Sequence, residues 1–229
     1  MQQTSELYQR LLRTRGHRKE IALMVAGEMY SEDRIIILNT YSRLFRNNQM
    51  EVGSAVAKEL RCTLLNPGNI PEAAELIPMY RLRYGDEVSE WVQKGVYYIY
   101  TREPNENDKT LTVVAFDAMV KADKVWEPRQ SLEFPMSMLA AALEIVSLMG
   151  VAVDNPEAIS SVYTVDYPVN DWTQRNILQF IAAAHGGNFI MTDLGKLRLC
   201  GLNEIPEPTH YLVDSYGGAI TFGGVRILV

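Results

Sequence analysis

The protein has 229 residues, of which 47% are hydrophobic, and its 22 Lys and Arg against 28 Asp and Glu give a formal net charge of −6. This length predicts one large domain or two modest ones at about 150 residues per domain, and it allows a sizeable core without disulfide bonds or metals. The negative charge disfavours general binding to nucleic acid, whose phosphates require basic partners. The sequence lacks a run of about 18 to 20 apolar residues, so no membrane-spanning helix is predicted. The first residues do not resemble a signal peptide, so we expect synthesis in the cytosol.

Residues 4–15, within an N-terminal segment of residues 1–16, are predicted to form a helix with Thr4 as its N-cap and Gly16 at its end. Its apolar stripe at helical spacing consists of Leu7, Tyr8, Leu11 and Leu12. Five basic side chains crowd the end of this helix, where they complement the negative end of the helix dipole. A polyanion-binding patch is the alternative interpretation. The five are Arg10, Arg13, Arg15, Arg18 and Lys19.

From residue 17 to residue 120, short runs of alternating apolar and polar residues predict an antiparallel β-barrel or a sandwich. The pattern is clearest in residues 55–65, where Val56, Leu60, Cys62 and Leu64 fall on one face. Turn-forming residues separate the runs. The other predicted strands are residues 21–26, 34–41, 80–84, 95–101 and 110–116. Within one of them, Tyr97 and Ile99 are expected to face one way and Tyr98 and Tyr100 the other.

After Asp117 the periodicity becomes helical. Asp117 is the expected N-cap of a short helix over residues 118–122. Pro135 is placed near the first turn of a second helix that ends at Gly150. The polar residues of this helix, including Glu144, form a narrow stripe, and apolar residues such as Leu143 cover the rest. Such a helix is expected to be mostly buried.

A third helix and a hairpin complete a predicted α/β domain of residues 121–205. Asp171 and Gln174 have the spacing of a capping box, and the helix is expected to close at His185. The hairpin strands are residues 188–192 and 196–200.

Two polar, proline-containing stretches, residues 121–135 and 203–208, are the candidate domain boundaries. Because no Ser/Gly linker separates the parts, we expect them to pack against each other. Residues 206–229 return to a strand-like composition, at 209–213 and 219–229, and are expected to hold part of an incomplete second barrel.

The sequence shows no arrangement typical of an enzyme, so we expect no catalytic, cofactor-binding or metal-ligating residues. Cys62 and Cys200 are far apart in apolar runs and are expected to be reduced core thiols. The histidines lack metal-binding spacing, and two acidic pairs fall in predicted turns, where solvated carboxylates are expected. These residues are His17, His185 and His210, and Glu32, Asp33, Asp86 and Glu87.

Three stretches of the sequence, read together, carry a resemblance to a known family. Residues 89–102 read SEWVQKGVYYIYTR, residues 111–121 read LTVVAFDAMVK, and residues 176–191 read NILQFIAAAHGGNFIM. Their order and spacing, across about residues 17–205, resemble the tail-hub or tail-tip proteins of bacteriophages and prophages. This group includes baseplate hub proteins and the N-terminal region of tail-associated lysins.

The resemblance implies a structural virion component, made in the cytoplasm of a bacterial host and located at the tail tip. Such proteins combine a barrel related to tail-tube subunits with an α/β domain. They form a ring, usually trimeric, that caps the tail tube and anchors tip or fibre proteins, while DNA passes through its lumen without specific binding. The implied partners are other copies of the chain, a tail-tube or distal-tail protein, and tip or fibre proteins, with no cofactor and no membrane insertion.

The chain departs from the family pattern after Cys200, where 29 residues remain, too few for a second full barrel at about 5 to 6 residues per strand. It is either the front part of a longer protein or a hub without the second barrel. The second case would put the trimeric ring in doubt, and a hexameric ring is the alternative. Two other functions remain as alternatives. One is a distal-tail adaptor that forms a hexameric ring, and the other is a fragment of a cell-wall-degrading enzyme.

Overall fold

The computed structural model describes residues 3–42, 51–168 and 170–201, together with the backbone of residues 221–222 and 225–226. These residues form a mixed α+β fold. The α-helices are α1 (Glu6–Arg13), α2 (Met138–Met149) and α3 (Gln174–Ala184), and three short 3-10 helices are Glu32–Arg34, Ala118–Asp123 and Pro156–Ala158.

Nine strands make up one antiparallel sheet. They are β1 (Arg18–Val25), β2 (Glu28–Ser31), β3 (Ile35–Tyr41), β4 (Glu59–Leu65), β5 (Glu75–Tyr84), β6 (Glu87–Val88), β7 (Val92–Gln93), β8 (Tyr97–Asn105) and β9 (Thr110–Asp117). The order across the sheet is β2-β1-β5-β8-β9-β4-β3, and β6 and β7 pair with β5. An antiparallel, strand-rich first part of the chain is therefore confirmed. Its closure into a barrel stays a prediction.

Six further strands form three small antiparallel pairs. They are β10 (Met136–Ser137) with β11 (Thr164–Val165), β12 (Gly187–Met191) with β13 (Leu197–Gly201), and β14 (Thr221–Phe222) with β15 (Val225–Arg226). The β12–β13 hairpin confirms the predicted one, with ends shifted by one residue.

One face of the large sheet covers the first hydrophobic core. Alternate residues point into it, as Leu60, Cys62 and Leu64 of β4 show. Leu76 of β5 lies in the same core, and Leu82, six residues further along that strand, therefore points to the same side. Helix α1 packs on Leu82 through its buried residues Tyr8 and Leu11. Thus α1 covers one end of the sheet face that encloses the core.

A second core lies between α2, α3, the 3-10 helix Ala118–Asp123 and the β12–β13 hairpin. Its fully buried residues include Met119, Ile145, Ile177, Phe189 and Leu197. Ala55, from the connection between β3 and β4, also lies in this core. The two parts of the chain therefore pack directly on each other, as expected.

Several predicted helix starts are wrong by a few residues, because a different side chain caps the backbone. Ser5, and not Thr4, is the N-cap of α1, since its hydroxyl accepts a hydrogen bond from the backbone N–H of Tyr8. The N-cap of α2 is Ser137, whose hydroxyl accepts from the N–H of Ala140 at 3.1 Å. Pro135 therefore precedes α2 and follows a cis peptide bond.

The capping box of α3 consists of Thr173 and Asn176, and not of the predicted Asp171 and Gln174. Thr173 Oγ1 accepts from the N–H of Asn176 at 3.2 Å, and Asn176 Oδ1 accepts from the N–H of Thr173 at 3.0 Å. Asp171 lies two residues earlier in a left-handed conformation, with φ at 63°. It therefore belongs to the turn before the helix.

The predicted polar stripe of α2 is also wrong, because Glu144 is buried and Leu143 is exposed. Arg129 explains the difference: its Nε lies 3.2 Å from Glu144 Oε1, and its Nη2 donates to Ser147 Oγ at 2.9 Å. The arginine side chain thus covers the carboxylate on the helix surface.

Asp117 caps the 3-10 helix that follows it, as predicted. Residues 55–58, predicted as strand, precede β4 and cross to the second core instead. Several predictions lie outside the described residues: the boundary at 203–208, the strand at 209–213, His210 and most of residues 219–229.

Candidate functional site

The large sheet and the second core meet at a set of buried and half-buried polar side chains, which we call the joint. It consists of Lys58, Asp117, Arg175, Asn188 and Asp193. Lys58 precedes β4 in phase with the buried residues Leu60 and Cys62, and it is 91% buried. A charge at such a position requires a partner.

Asp193 in the β12–β13 turn provides that partner. Its Oδ1 lies 3.1 Å from Lys58 Nζ, and its Oδ2 lies 3.4 Å from the Nζ of Lys94. The backbone carbonyl of Asp193 accepts a hydrogen bond from Gln93 Nε2 at 2.8 Å. One hairpin residue is thus bound from two separate segments of the sheet.

Asp117, at the end of β9, binds two backbone groups at once. Its Oδ2 accepts from the N–H of Lys58 at 2.9 Å, and its Oδ1 accepts from the N–H of Met119 at 3.0 Å. Burial raises the pKa of Asp117 to about 6, and these two hydrogen bonds oppose that rise without cancelling it. Asp117 therefore fixes β4, β9 and the 3-10 helix relative to one another.

The connection before β4 is bound to the hairpin through Asn188, whose side chain is fully buried. Asn188 Oδ1 accepts from the N–H of Ser54 at 2.6 Å, and Asn188 Nδ2 donates to the carbonyl of Glu51 at 2.9 Å. The N–H of Phe189 then donates to the carbonyl of Ser54 at 2.8 Å, and Ala55 forms a parallel bridge with Phe189. The connection therefore adds a short third strand segment to the hairpin.

Arg175 of α3 completes the joint. Its Nη1 donates to the carbonyl of Ala55 at 2.7 Å, and its Nη2 donates to the carbonyl of Met119 at 2.9 Å. The same guanidinium binds both carboxylate oxygens of Asp123. A planar group with five donors suits this position because it reaches three segments at once.

A cavity of about 340 Å³ lies beside the joint, with Lys58, Asp154, Asp193 and Arg198 among its lining residues. Its charges are paired, since Arg198 Nη1 lies 3.1 Å from Asp154 Oδ2 and Lys58 binds Asp193. Within the described ranges, no three His, Cys, Asp or Glu side chains are grouped so that they could hold a metal ion. The chemistry of the joint is that of a structural connection between two cores.

The two cysteines lie in different surroundings. Cys62 is buried in β4, and burial raises the pKa of its thiol to about 12. Cys200 is half-buried in β13 and contributes to the cavity beside the joint. A core position is therefore confirmed for Cys62 and only partly for Cys200.

The two described histidines bind the backbone. His17 Nδ1 lies 2.8 Å from the carbonyl of Thr14 at the exit of α1. His185 Nδ1 lies 2.7 Å from the carbonyl of Ile181, and its Nε2 accepts from the N–H of Ser160 at 2.7 Å. For His185, the two partners assign Nδ1 as a hydrogen-bond donor and Nε2 as an acceptor.

The solvated carboxylate expected at Glu32 is found only in part, because its side chain is 37% exposed but also binds the sheet edge. Its Oε1 accepts from the N–H of Ile21 at 3.1 Å, just beyond the last pairing of β1 with β2, and its Oε2 binds Arg18 at 2.6 Å. At the other acidic pair, Glu87 binds Arg10 at 2.5 Å. The predicted alternation in β8 is confirmed: Tyr97 is buried in the sheet core, whereas Tyr100 is exposed.

Sequence patterns singled out only Asp117 among the joint residues, and only as a helix cap. One signal for Lys58 was present, since it lies in phase with buried residues in the predicted strand. Asn188, Asp193 and Arg175 have no comparable signal, because their partners lie 52 to 137 positions away in the chain.

None of the helices in the described part is both long and apolar enough to cross a membrane. No family model and no curated protein matches the chain.

Two solved structures share its fold. The 43 kDa tail protein of prophage MuSo2 from Shewanella oneidensis aligns with a TM-score of 0.52 at 15% identity, over 81% of this chain. The tail protein from Neisseria meningitidis MC58 aligns with a TM-score of 0.54 at 14% identity, over 86% of this chain. In both cases the match covers 56% of the other chain, so this chain spans little more than half of their length. The chain therefore has the fold of the matched part of these two tail proteins.

Proposed function

We propose that the protein is a structural component of a phage or prophage tail. Within the tail, it forms a hub or tip ring that caps the tail tube, lets DNA pass and anchors distal tip proteins. The shared fold with two tail proteins, one of them from a prophage, over 81% and 86% of the chain, is the observation that carries this proposal. The order of the three sequence stretches supports the same proposal, and it does so independently of the fold.

A curled sheet supports the barrel that this role requires. Ile21 of β1 and Leu38 of β3 pack against the same core and line one small cavity of about 80 Å³. Five strand spacings separate β1 from β3 in the sheet order, which in a flat sheet is roughly 24 Å. Because the two residues share a cavity instead, we infer that the sheet closes on itself like a tail-tube barrel.

Although the sheet curls, β3 has no second strand partner among the described pairings, and this supports assembly with other copies. Within the described pairings, β3 pairs only with β4, and its residues Ile36, Ile37 and Tyr41 are exposed. An exposed apolar edge strand is a surface that another chain can cover. We expect the resulting ring to be trimeric, with acidic side chains outnumbering basic ones on its inner surface so that DNA slides without binding.

The paired charges of the joint favour a structural role over an enzymatic one, because each charged group there is already bound. The joint would hold the barrel and the α/β part in one orientation while the ring carries the load of the tail tip. We therefore propose no catalytic residue.

Electron microscopy and mass photometry of the purified chain test the proposal. A closed ring with a central channel is the expected particle, a hexamer would favour the distal-tail adaptor, and a compact dimer would contradict the hub. Zymography on bacterial cell walls separates the enzymatic alternative, since clearing of the gel would contradict a purely structural role. An arginine-lined channel would contradict the proposed acidic inner surface.

A further inference from the structure

An exposed aromatic surface lies on the outer side of α3. The ring of Trp172 stacks edge-on against Phe180, with centroids 6.4 Å apart, and Tyr163 contacts His185 at the end of the helix, at 5.4 Å. The segment that joins these two contacts lies between Tyr163 and Trp172. Its residue Tyr167 is 68% exposed. We call this surface, Tyr163, Tyr167, Trp172 and Phe180 with the adjacent carboxylates, the aromatic face.

The chain segment that contains Tyr163, Tyr167 and Trp172 carries charge of one sign. Residues 130–174 contain six Asp and Glu and no Lys, Arg or His. Two of the six are bound to arginines, namely Glu144 to Arg129 and Asp154 to Arg198. Glu157, Asp166 and Asp171 are exposed and form no ion pair with any described residue. The face thus combines apolar rings with uncompensated negative charge.

A surface of opposite charge lies at the end of α1. Residues 7–19 contain five Lys and Arg and no Asp or Glu. Arg10 and Arg18 are bound to glutamates, whereas Arg13 and Arg15 are exposed and have no ion pair among the described residues. Leu12 is exposed beside them. We call this surface, Leu12, Arg13 and Arg15, the basic face.

The two faces are complementary in the way that protein interfaces require, with apolar side chains surrounded by charges of opposite sign. Arginine side chains also stack on Tyr and Trp rings. No hydrogen bond or ion pair joins the two faces within the described part of one chain. A contact between them would therefore join two copies, and a contact between unlike faces generates a ring when its rotation closes.

We propose that the aromatic face of one copy docks on the basic face of the next, with Glu157 and Asp166 opposite Arg13 and Arg15. This inference rests on the proposed ring and names its contact surfaces. The occupant is a second copy of this chain, because each copy carries, on its basic face, the positive charge that complements the carboxylates of the aromatic face.

Charge reversal tests the contact in the full chain by sedimentation velocity. Glu157→Lys with Asp166→Lys, or Arg13→Glu with Arg15→Glu, places like charges opposite each other and is expected to weaken self-association about 10-fold or more. Combining all four substitutions restores opposite charges and is expected to recover most of the association. The matched control is Glu103→Lys with Glu106→Lys, which makes the same charge change at exposed positions of the β8–β9 hairpin and leaves association unchanged.

An aromatic pair of variants tests the same face without changing charge. Tyr167 and Tyr100 are each 68% exposed, so replacing either by Ala leaves the cores intact. Tyr167→Ala is expected to weaken association, and Tyr100→Ala is not. A ring that forms normally in both charge-reversed variants would overturn the docking inference and leave the proposed function in place. A wild-type chain that stays monomeric would also overturn it, whereas the zymography above tests the structural role separately.

Discussion

Lys58 Nζ lies 3.1 Å from Asp193 Oδ1, although 135 positions separate the two residues in the chain. The side chains are only 11% and 29% exposed, so water screens their attraction less than it does for a surface pair. This ion pair links the residue before β4 to the β12–β13 hairpin. Its contribution to the free energy of unfolding therefore reports on the contact between the two cores.

We expect a double-mutant cycle on this pair to show coupling. Asp193→Asn leaves the Lys58 ammonium without its carboxylate and should lower the free energy of unfolding by about 2 to 4 kcal/mol. Lys58→Met with Asp193→Asn removes both charges and should recover part of that loss. Urea unfolding measures each variant. The exposed pair Arg10 and Glu87 is the control, where Glu87→Gln should cost less than about 1 kcal/mol, and equal losses at both pairs would contradict this expectation.

Asp117 should make stability depend on pH in a defined direction. Its pKa is raised from 3.8 to about 6 in the folded protein, so between these values the folded state binds more protons than the unfolded state. The contribution of Asp117 to the free energy of unfolding is fully present below about pH 4. It is lost as the pH rises through 6, a change of about 3 kcal/mol. The free energy of unfolding of wild type minus that of Asp117→Asn should therefore fall over this range.

Asp108→Asn provides the control for the pH experiment, because Asp108 is exposed in the β8–β9 turn. The pH dependence of this variant gives the baseline with which that of Asp117→Asn is compared. A difference for Asp117→Asn that rises with pH would show that the two backbone hydrogen bonds outweigh burial.

Gly53 should tolerate no side chain where the connection crosses α3. Its φ is +83°, and a Cβ at this position would lie 2.8 Å from Ala183 Cβ. Gly27 has a φ of +89° with open space around it, so Gly27→Ala measures the conformational cost alone, about 1 kcal/mol. We expect Gly53→Ala to exceed this by a further 1 to 3 kcal/mol from overpacking, as measured by thermal unfolding. Equal losses of stability for Gly53→Ala and Gly27→Ala would contradict the close approach of the connection to α3.

Helix α1 should be held on the sheet by Leu11 and not by its neighbour Leu12. Leu11 is buried against Leu82, whereas Leu12 is exposed. Leu11→Ala should cost about 2 to 5 kcal/mol and should speed hydrogen exchange of the α1 amides. Leu12→Ala, in the same helix, should do neither, and equal exchange in both variants would mean that α1 does not dock through its buried face.

Cys62 should be chemically inert in the folded protein. The thiolate is the reactive form, and the raised pKa of about 12 keeps the thiol protonated at neutral pH. In a Cys200→Ser background, iodoacetamide should modify Cys62 only after unfolding, as followed by mass spectrometry. Ser161→Cys in the same background places a thiol at an exposed position and should react readily, so rapid native labelling of Cys62 would contradict its burial.

Local sequence patterns predicted the elements whose structure depends on residues close to one another in the chain. The alternation in β4 and β9, the cap at Asp117 and the β12–β13 hairpin follow from spacing alone, and the structure has them. Caps were harder to place, because several polar residues compete within a few positions. Thr173 replaces Asp171 because the backbone of Asp171 is left-handed there.

Tertiary contacts decided the remainder. Glu144 has the sequence signature of a solvated helix face, and it is buried because Arg129, fifteen positions earlier, folds over it. Residues 55–58 continue the alternation of β4, yet they leave the sheet because Phe189 and Arg175 bind them. No periodicity within a short window carries that information.

The connection before β4 also sets an order in time. Ser54 can bind Asn188 only after a further 134 residues have been made, and at about 5 to 20 residues per second this takes roughly 7 to 27 s on the ribosome. Until then, the backbone groups of residues 51–55 lack the partners they have in the finished molecule. Residues 51–55, which lie in the first quarter of the chain, therefore reach their final hydrogen bonding only once the hairpin has emerged.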